Sequence, residues 1–296
     1  MPANRGVLLA FLASAAFSMK AIFVKLAYLY GVDPVLLLAL RMAFSLPCLL
    51  IAAWWSGRGG AAPISLRDWG AILFLGFVGY YLSSLLDFMG LAYISAGLER
   101  LILFLYPTVV VLISVYMFGK SITKRALFAM ALSYVGIGIA FLHDIEVTGD
   151  HRATAIGGGL IFLCMITYAI YLVGSGQMTQ RMGSMQFAGL ATSVAAIACM
   201  IHFLIASPLV AAVSQPWQVY AYAAAMAGLS TILPIFLTAK AIQLVGASKV
   251  SIVGSIGPVA TIFFGWLFLG EDVSIEQMVG AAFVLGGVML VSSKKA

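Results

Sequence analysis

Residues 119–125 read Gly119-Lys120-Ser121-Ile122-Thr123-Lys124-Arg125, and residues 270–276 read Gly270-Glu271-Asp272-Val273-Ser274-Ile275-Glu276. The two stretches lie 151 residues apart, both open on glycine, and both join two long apolar runs. The first is basic and the second acidic. Short loops rich in Lys and Arg stay on the cytoplasmic side of a membrane. The same turn has therefore been charged for opposite membrane faces. Composition places the chain in the same class. Apolar residues make up 63% and charged residues 9% of it, against about 45–50% and 25% in soluble domains. No water-soluble fold of 296 residues hides that much apolar surface. Disordered, collagen-like and disulfide-scaffold chains are excluded by the same figures. A membrane β-barrel would need alternating segments of ~10 residues, and the sequence has none. An all-α integral membrane protein is expected.

A spanning helix needs about 20 apolar residues. Uncharged runs of 17 to 21 residues occur at 69–86, 101–119, 126–143, 250–270 and 277–293. The run 182–239 has no formal charge over 58 residues, and Pro208 and Pro216 break it into two helices. Ten transmembrane helices are predicted at about 6–28, 34–55, 69–93, 96–118, 123–142, 156–178, 185–206, 217–241, 247–269 and 274–292. The longest connections are 56–68 and 143–155. Gly6–Met19 after Arg5 has the cast of a signal peptide. Its removal would leave nine spans and destroy the repeat described next.

Shifted by 151, Gly6, Leu9, Phe11 and Leu12 fall on Gly157, Leu160, Phe162 and Leu163. Ala96, Pro107, Gly119 and Gly136 fall on Ala247, Pro258, Gly270 and Gly287. Two units, 1–147 and 152–296, follow, each with five spans. An odd number of spans inverts the second unit relative to the first. Inverted repeats of this kind are typical of secondary transporters, whose site lies near the midplane between the halves. Ten of the basic residues, from Arg5 and Arg58 to Lys294 and Lys295, gather on one face. Asp33, Asp144, Glu146, Asp150, Glu271 and Asp272 gather on the other, with Arg152 the one base among them. This predicts a multi-pass protein of the cytoplasmic (inner) membrane with both termini cytoplasmic. The charge distribution excludes nucleic acid as a partner, leaving the lipid bilayer and a small-molecule substrate. The fused units make a monomer the expectation and a homodimer the alternative.

A formal charge at a helix centre costs about 2.5–3.5 kcal/mol, so each intramembrane charge is a functional candidate. These are Lys20, Lys25, Arg41, Asp87, Glu99, Arg100 and Lys240. At ~1.5 Å per residue, Lys20, Asp87 and Arg41 share the outer half of the membrane. Helical spacing sorts them into stripes. Gly76, Tyr80, Ser83, Ser84 and Asp87 share a face of the third span, and Thr231 lies on its counterpart. Ser251, Ser255 and Pro258 line the ninth span, opposite Arg100 and Pro107 in the repeat. Tyr168 and Tyr171 on the sixth correspond to Phe17 and Lys20 on the first. Lys25 and Lys240 can snorkel to an interface. Arg41 is read as structural, and Glu99, turned ~100° from Arg100, as a packing or surface residue. Pro107 and Pro258 form a symmetry-related pair and are the candidate hinges.

Cys48, Cys164 and Cys199 fall inside spans with no CxxC spacing. His143, His151 and His202 have no metal-ligand company in the sequence. No Ser/His dyad and no carboxylate pair at one depth is legible. No catalytic residue, metal or cofactor is therefore expected, and the enzyme reading is set aside.

The stretches Ala92-Tyr93-Ile94-Ser95-Ala96-Gly97 with Pro107 and Gly119, and Val245-Gly246-Ala247-Ser248 with Pro258 and Gly270-Glu271, identify a resemblance. Over its whole length the chain resembles the EamA family of the drug/metabolite transporter superfamily. It departs from the common pattern at Lys120, where many relatives have Glu. The resemblance implies a ten-helix carrier, often an exporter of amino acids or related metabolites. Combined with the stripes, the expectation is a carrier of small zwitterions. Lys20 or Arg100 would meet a carboxylate and Asp87 an ammonium group, with Phe17, Tyr80, Ser84, Tyr168, Tyr171, Thr231, Ser251 and Ser255 lining the site. A nucleotide-sugar or lipid-phosphate carrier is the alternative, and a non-transporting scaffold or receptor the alternative of another class. On this reading Lys20 is the decisive cation and Arg100 the lesser one.

A cysteine placed in the 143–155 connection is expected to react with an impermeant reagent from outside intact cells, and one near Lys120 is not. The reverse labelling pattern would overturn the orientation.

Overall fold

The computed structural model describes residues 2–57, 64–118 and 122–292, with the side chains of Ser248 and Ser251 among a few left outside that description. Gly119, Lys120 and Ser121 also lie outside it. The first two crossings are the continuous helices α1 (Pro2–Tyr28) and α2 (Pro34–Gly57). The third joins α3 (Leu66–Leu75) to α4 (Ser83–Leu91) through a π-helical turn at Gly76–Leu82. The fourth is split into α5 (Ala96–Leu103) and α6 (Tyr106–Phe118). Then come α7 (Lys124–Thr148), α8 (His151–Met182) and α9 (Ser184–Ala206). The eighth joins α10 (Trp217–Ala227) to α11 (Leu233–Val245) through a second π-helical turn, Gly228–Ile232. The ninth is split into α12 (Ala247–Gly254) and α13 (Gly257–Phe264), and α14 (Ile275–Ser292) is the last. Nine segments of the described residues are long and apolar enough to cross a membrane, and Ile275–Leu290 is a shorter apolar tenth. Among the described residues there is no strand.

Two helices run further than the charge pattern predicts. α7 continues through Asp144 and Glu146 to Thr148, and α8 begins at His151. Charge does not end a helix here; backbone chemistry does. Gly149 takes a left-handed φ of 66°, and the Asp150 side chain accepts from the N–H groups of Arg152 and Ala153. The expected 143–155 connection shrinks to two residues.

The irregular places recur at the repeat spacing. α5 gives way at Phe104–Leu105 just before Pro107, and α12 at Ser255–Ile256 just before Pro258, 151 residues on. A proline has no N–H to give the carbonyl four residues back. For Pro258 that carbonyl belongs to Gly254, and the Ser14 hydroxyl of α1 donates to it at 3.2 Å. One turn along α1, the Ser18 hydroxyl lies between Ser14 O at 2.9 Å and Gly257 O at 3.0 Å. In hydrocarbon a freed carbonyl needs such a partner. The pair Ser14 and Ser18 is how α1 seats against the broken ninth crossing.

Helix contacts follow a two-fold pattern. Gly6 abuts Leu244 and Val245, and Gly157 abuts Tyr93 and Ile94, each contact being the other shifted by 151 in opposite senses. α7 and α14 cross antiparallel. The Ser133 hydroxyl, which donates to Ala129 O at 3.1 Å in its own helix, lies 3.5 Å from the carbonyl of Val284, and a Cβ on Gly136 would stand 2.6 Å from Gly280 O. Small residues let membrane helices approach this closely.

Gly136→Ala is expected to cost about 1–3 kcal/mol by overpacking this crossing, read as a lower melting temperature in detergent. Gly138→Ala on the same helix, with no heavy atom within 4 Å of the added methyl, is the matched control and should melt with the parent.

Candidate functional site

The charged side chains of the first unit meet between α1, α4 and α5. Lys20 Nζ lies 2.6 Å from Asp87 Oδ2 and 3.1 Å from Glu99 Oε1. Asp87 is 3% exposed and Glu99 fully buried. Two carboxylates thus share one ammonium, a pair at one depth that helical spacing did not reveal. Glu99 is not a surface or packing residue. Every residue from Ala96 to Ile102 is buried, so α5 has no outward face on which to place it. One oxygen of each acid, Asp87 Oδ1 and Glu99 Oε2, is buried without a hydrogen-bond partner.

Arg100, next in sequence, is also buried but meets no carboxylate among the described residues. Its guanidinium lies 4.9 Å from the centroid of the Phe17 ring, and its Nε has no hydrogen-bond partner. A Cβ on Gly257 would approach Arg100 Nη2 to 3.0 Å, so glycine at the start of α13 makes room for it. Arg41, read as structural, makes contacts of that kind. It is buried, with its Nε donating to Thr231 Oγ1 at 3.3 Å and its guanidinium 5.5 Å from the Phe88 ring centroid. Thr231 in turn donates to Met226 O at 3.0 Å, across the second π-helical turn.

An aromatic chain continues from Arg100. Tyr106 and Tyr168 meet edge to face at 5.6 Å, Tyr168 stacks on Tyr171 at 6.2 Å, and Tyr171 meets Tyr80 at 4.9 Å. The Tyr171 hydroxyl donates to that of Tyr80 at 3.3 Å. A Cβ on Gly79 would collide with the Tyr171 ring, so the glycine in the first π-helical turn admits it. The same turn upsets the count of 3.6 residues along this crossing. Ser83, rather than Ser84, is the buried serine and lies 3.3 Å from Cys164 Sγ. Ser84 is half-buried. Ser255 sits in the break before Pro258 and donates to Ile252 O at 2.6 Å. The Ser251 side chain lies outside the described residues. Phe17, Lys20, Asp87 and Arg100 are thus gathered by the structure, and Tyr80, Tyr168 and Tyr171 form an adjoining group. Thr231 stands with Arg41. Spacing alone missed Glu99, Tyr106, Ser14 and Ser18. The i, i+4 serines of α1, set against a proline that must orphan a carbonyl, are the signal by which the last two could have been found.

At the far end of α5, Glu271 Oε1 accepts the Ala96 N–H at 2.9 Å and lies 3.9 Å from Lys25 Nζ. Asp144 accepts the N–H of Ser95 at 3.0 Å. Lys25 therefore has a partner and is not simply reaching for an interface. Burial holds the Glu271 carboxyl above the ordinary carboxylate range, against the opposing pull of the Ala96 N–H and of Lys25.

These features define a helical membrane transporter. The crossings are broken, a charge cluster is buried at their centre, and the irregularities recur in both halves. The chain belongs to the EamA-like transporter family, whose model matches it twice, at residues 4–142 and 155–293. It is 30% identical to the Bacillus subtilis protein named uncharacterized transporter YcbK, over 98% of this chain and 92% of that one. A WAT1-related protein of Arabidopsis thaliana is 21% identical over 92% of this chain and 80% of its own. A crystal structure with 19% sequence identity superposes with a TM-score of 0.64 over 97% of both chains, a likeness of fold.

Removing one member of a buried ion pair costs about 3–5 kcal/mol, because the other is left charged and unpaired. Lys20→Met is therefore expected to lower the melting temperature sharply. A variant that also carries Asp87→Asn and Glu99→Gln should regain most of the loss. Changing Asp87 alone beside Lys20 would not, because Glu99 would remain. No recovery in the triple variant would show that the cluster is not held together by charge.

Proposed function

We propose that the chain is a secondary carrier that exports small polar metabolites, amino acids or related zwitterions, across the cytoplasmic membrane. Two inverted five-helix halves, 1–147 and 152–296, would rock about the central cluster, with both termini cytoplasmic and Pro107 and Pro258 at the hinges. Membership of a transporter family supports transport in general. The substrate class rests on one observation: Arg100 is a buried guanidinium with no carboxylate to hold. A buried charge without a partner is costly, and a substrate carboxylate would complete it. The unpartnered oxygens of Asp87 and Glu99 suit an ammonium group. Lys20 is already held by two carboxylates, so the substrate's anionic end goes to Arg100, and Lys20 keeps the two acids together. Phe17, Tyr106 and Tyr168 would flank the bound molecule. A phosphate would also satisfy Arg100, which keeps nucleotide sugars and lipid phosphates as the rival substrates.

Counterflow in proteoliposomes separates the two. Amino acids should exchange and nucleotide sugars should not, and the opposite result would install the rival. Arg100→Gln should lower transport efficiency about 10- to 100-fold, the worth of a charge-assisted hydrogen bond of roughly 1.5–3 kcal/mol. Unchanged transport in that variant would remove Arg100 from the site.

A further inference from the structure

The two-fold pattern of contacts allows each face of the molecule to be compared with the other, residue by residue. On the face where α3 begins and α8 ends, a cavity of about 510 Å³ opens between α3, α6 and α8. Its polar side is formed by Arg67, Asp68, Gln177 and Arg181. Arg181 Nη1 lies 2.5 Å from Asp68 Oδ1, and the Arg181 side chain is 61% exposed, so the bond is open to exchange. Ile170, Val173 and Gly174 of α8 line the apolar wall, on the same helix that carries Tyr168 and Tyr171.

The equivalent place on the opposite face, 151 residues away in each element, is filled. Val173 and Asp68 line the cavity, whereas their equivalents Ile22 and Val219 are fully buried in the largest apolar cluster. Gly174 and Ala71 correspond to Phe23 and Tyr222, whose rings lie 6.3 Å apart. Arg181 corresponds to Tyr30, which packs on Tyr222 at 6.2 Å. Glu271, holding the N-terminus of α5, ties that same face together. One face is polar and open where its symmetry mate is packed with apolar and aromatic side chains, Tyr30 standing at the exposed rim.

We propose that the cavity is the entrance subsite of the transport path for the anionic end of the substrate, open in this structure, with Arg67 and Arg181 as its first contacts. The cluster of Phe23, Tyr222 and Tyr30 is the closed gate opposite it. The proposal rests on the carrier reading above and deepens it. Two cations against one carboxylate draw anions into the cavity, and an incoming carboxylate can take the place of Asp68 on the exposed guanidinium of Arg181. The charge at the mouth thus matches the unpartnered Arg100 farther in.

The equivalent residues Val173 and Ile22 give the test. Val173→Cys and Ile22→Cys variants are treated in detergent, where both faces are bathed, with small thiol reagents carrying either a sulfonate or a quaternary ammonium group. Peptide mass spectrometry reads the modified site, so Cys48, Cys164 and Cys199 remain. Val173→Cys is expected to react at least about tenfold faster than Ile22→Cys, and to prefer the anionic reagent by a few-fold, because two cations against one carboxylate leave the cleft net positive. Adding Arg67→Gln and Arg181→Gln should abolish the preference and leave the accessibility. Equal rates at the two positions would overturn the open and shut assignment, and a cationic preference, or none, would overturn the anion entrance. No transport is measured, so a failed counterflow experiment leaves these readings intact and would count against the carrier function alone.

Discussion

An ammonium group in the middle of a membrane protein must be matched where it stands. Lys20 is matched twice, by Asp87 at 2.6 Å and Glu99 at 3.1 Å. Because the three groups come from α1, α4 and α5, their bonds fix the relative depth and rotation of three crossings at once. The desolvation penalty of several kcal/mol per ion is recovered only with good geometry, so this part of the first half has little freedom to slide. The tyrosines, the guanidinium of Arg100 and the break before Pro107 are all positioned from that fixed point. The second half has no such anchor. The equivalents of Lys20, Asp87, Glu99 and Arg100 are Tyr171, Thr238, Val250 and Ser251. The breaks before Pro107 and Pro258 and the π-helical turns of the third and eighth crossings are shared between the halves, a further π-helical turn at Gly265–Leu269 belongs to the second alone, and the buried charge cluster belongs to the first.

That division has a physical logic. A carrier that visits two orientations of similar energy benefits from two halves with the same places of bending, and Pro107 and Pro258 with the π-helical turns of the third and eighth crossings provide them. Binding has no need of symmetry. A substrate with unlike ends is better held by unlike partners, and a duplicated charge cluster would double the cost of burial. The serines of α1 show how the asymmetry is accommodated. Ser14 and Ser18 satisfy carbonyls at the break before Pro258, while their equivalents in α8, Met165 and Ala169, carry no hydroxyl.

The ten crossings were legible in the sequence because length and hydropathy set them, and the breaks because proline removes a donor whatever surrounds it. The site was only partly legible. A helical wheel presumes that one face looks outward, and it put Glu99 on that face because Arg100 occupied the inner one. α5 is enclosed on all sides, so both residues are inside. The wheel also presumes 3.6 residues per turn, and the π-helical turn at Gly76–Leu82 departs from that count between Tyr80 and Asp87. Asp87 reached the cluster as expected, and of the two serines placed on its stripe Ser83 is buried and Ser84 half-buried. Charge misled at the end of α7, where Gly149 rather than Asp144 ends the helix. In each case a local rule failed where packing from a second element decided the outcome, which sequence spacing does not carry.

The difference between the two faces bears on how such a carrier would be driven. A ligand can shift an equilibrium between two conformations only by binding one of them better. If the aromatic cluster is the gate proposed above, opening it would expose Phe23 and Tyr222 to water, a cost that grows at about 25 cal/mol per Å² of apolar surface. The opposite entrance is held by an ion pair with an exposed guanidinium, which costs little to open. On the proposed reading and orientation, the polar face is the cheaper of the two to open and is the cytoplasmic one. On that reading, substrate would supply the free energy to open the aromatic gate. Arg100 would suit that task, because its guanidinium, set against the Phe17 ring with Nε unpartnered, lies beside Gly257 at the break of the ninth crossing, next to the proposed hinge.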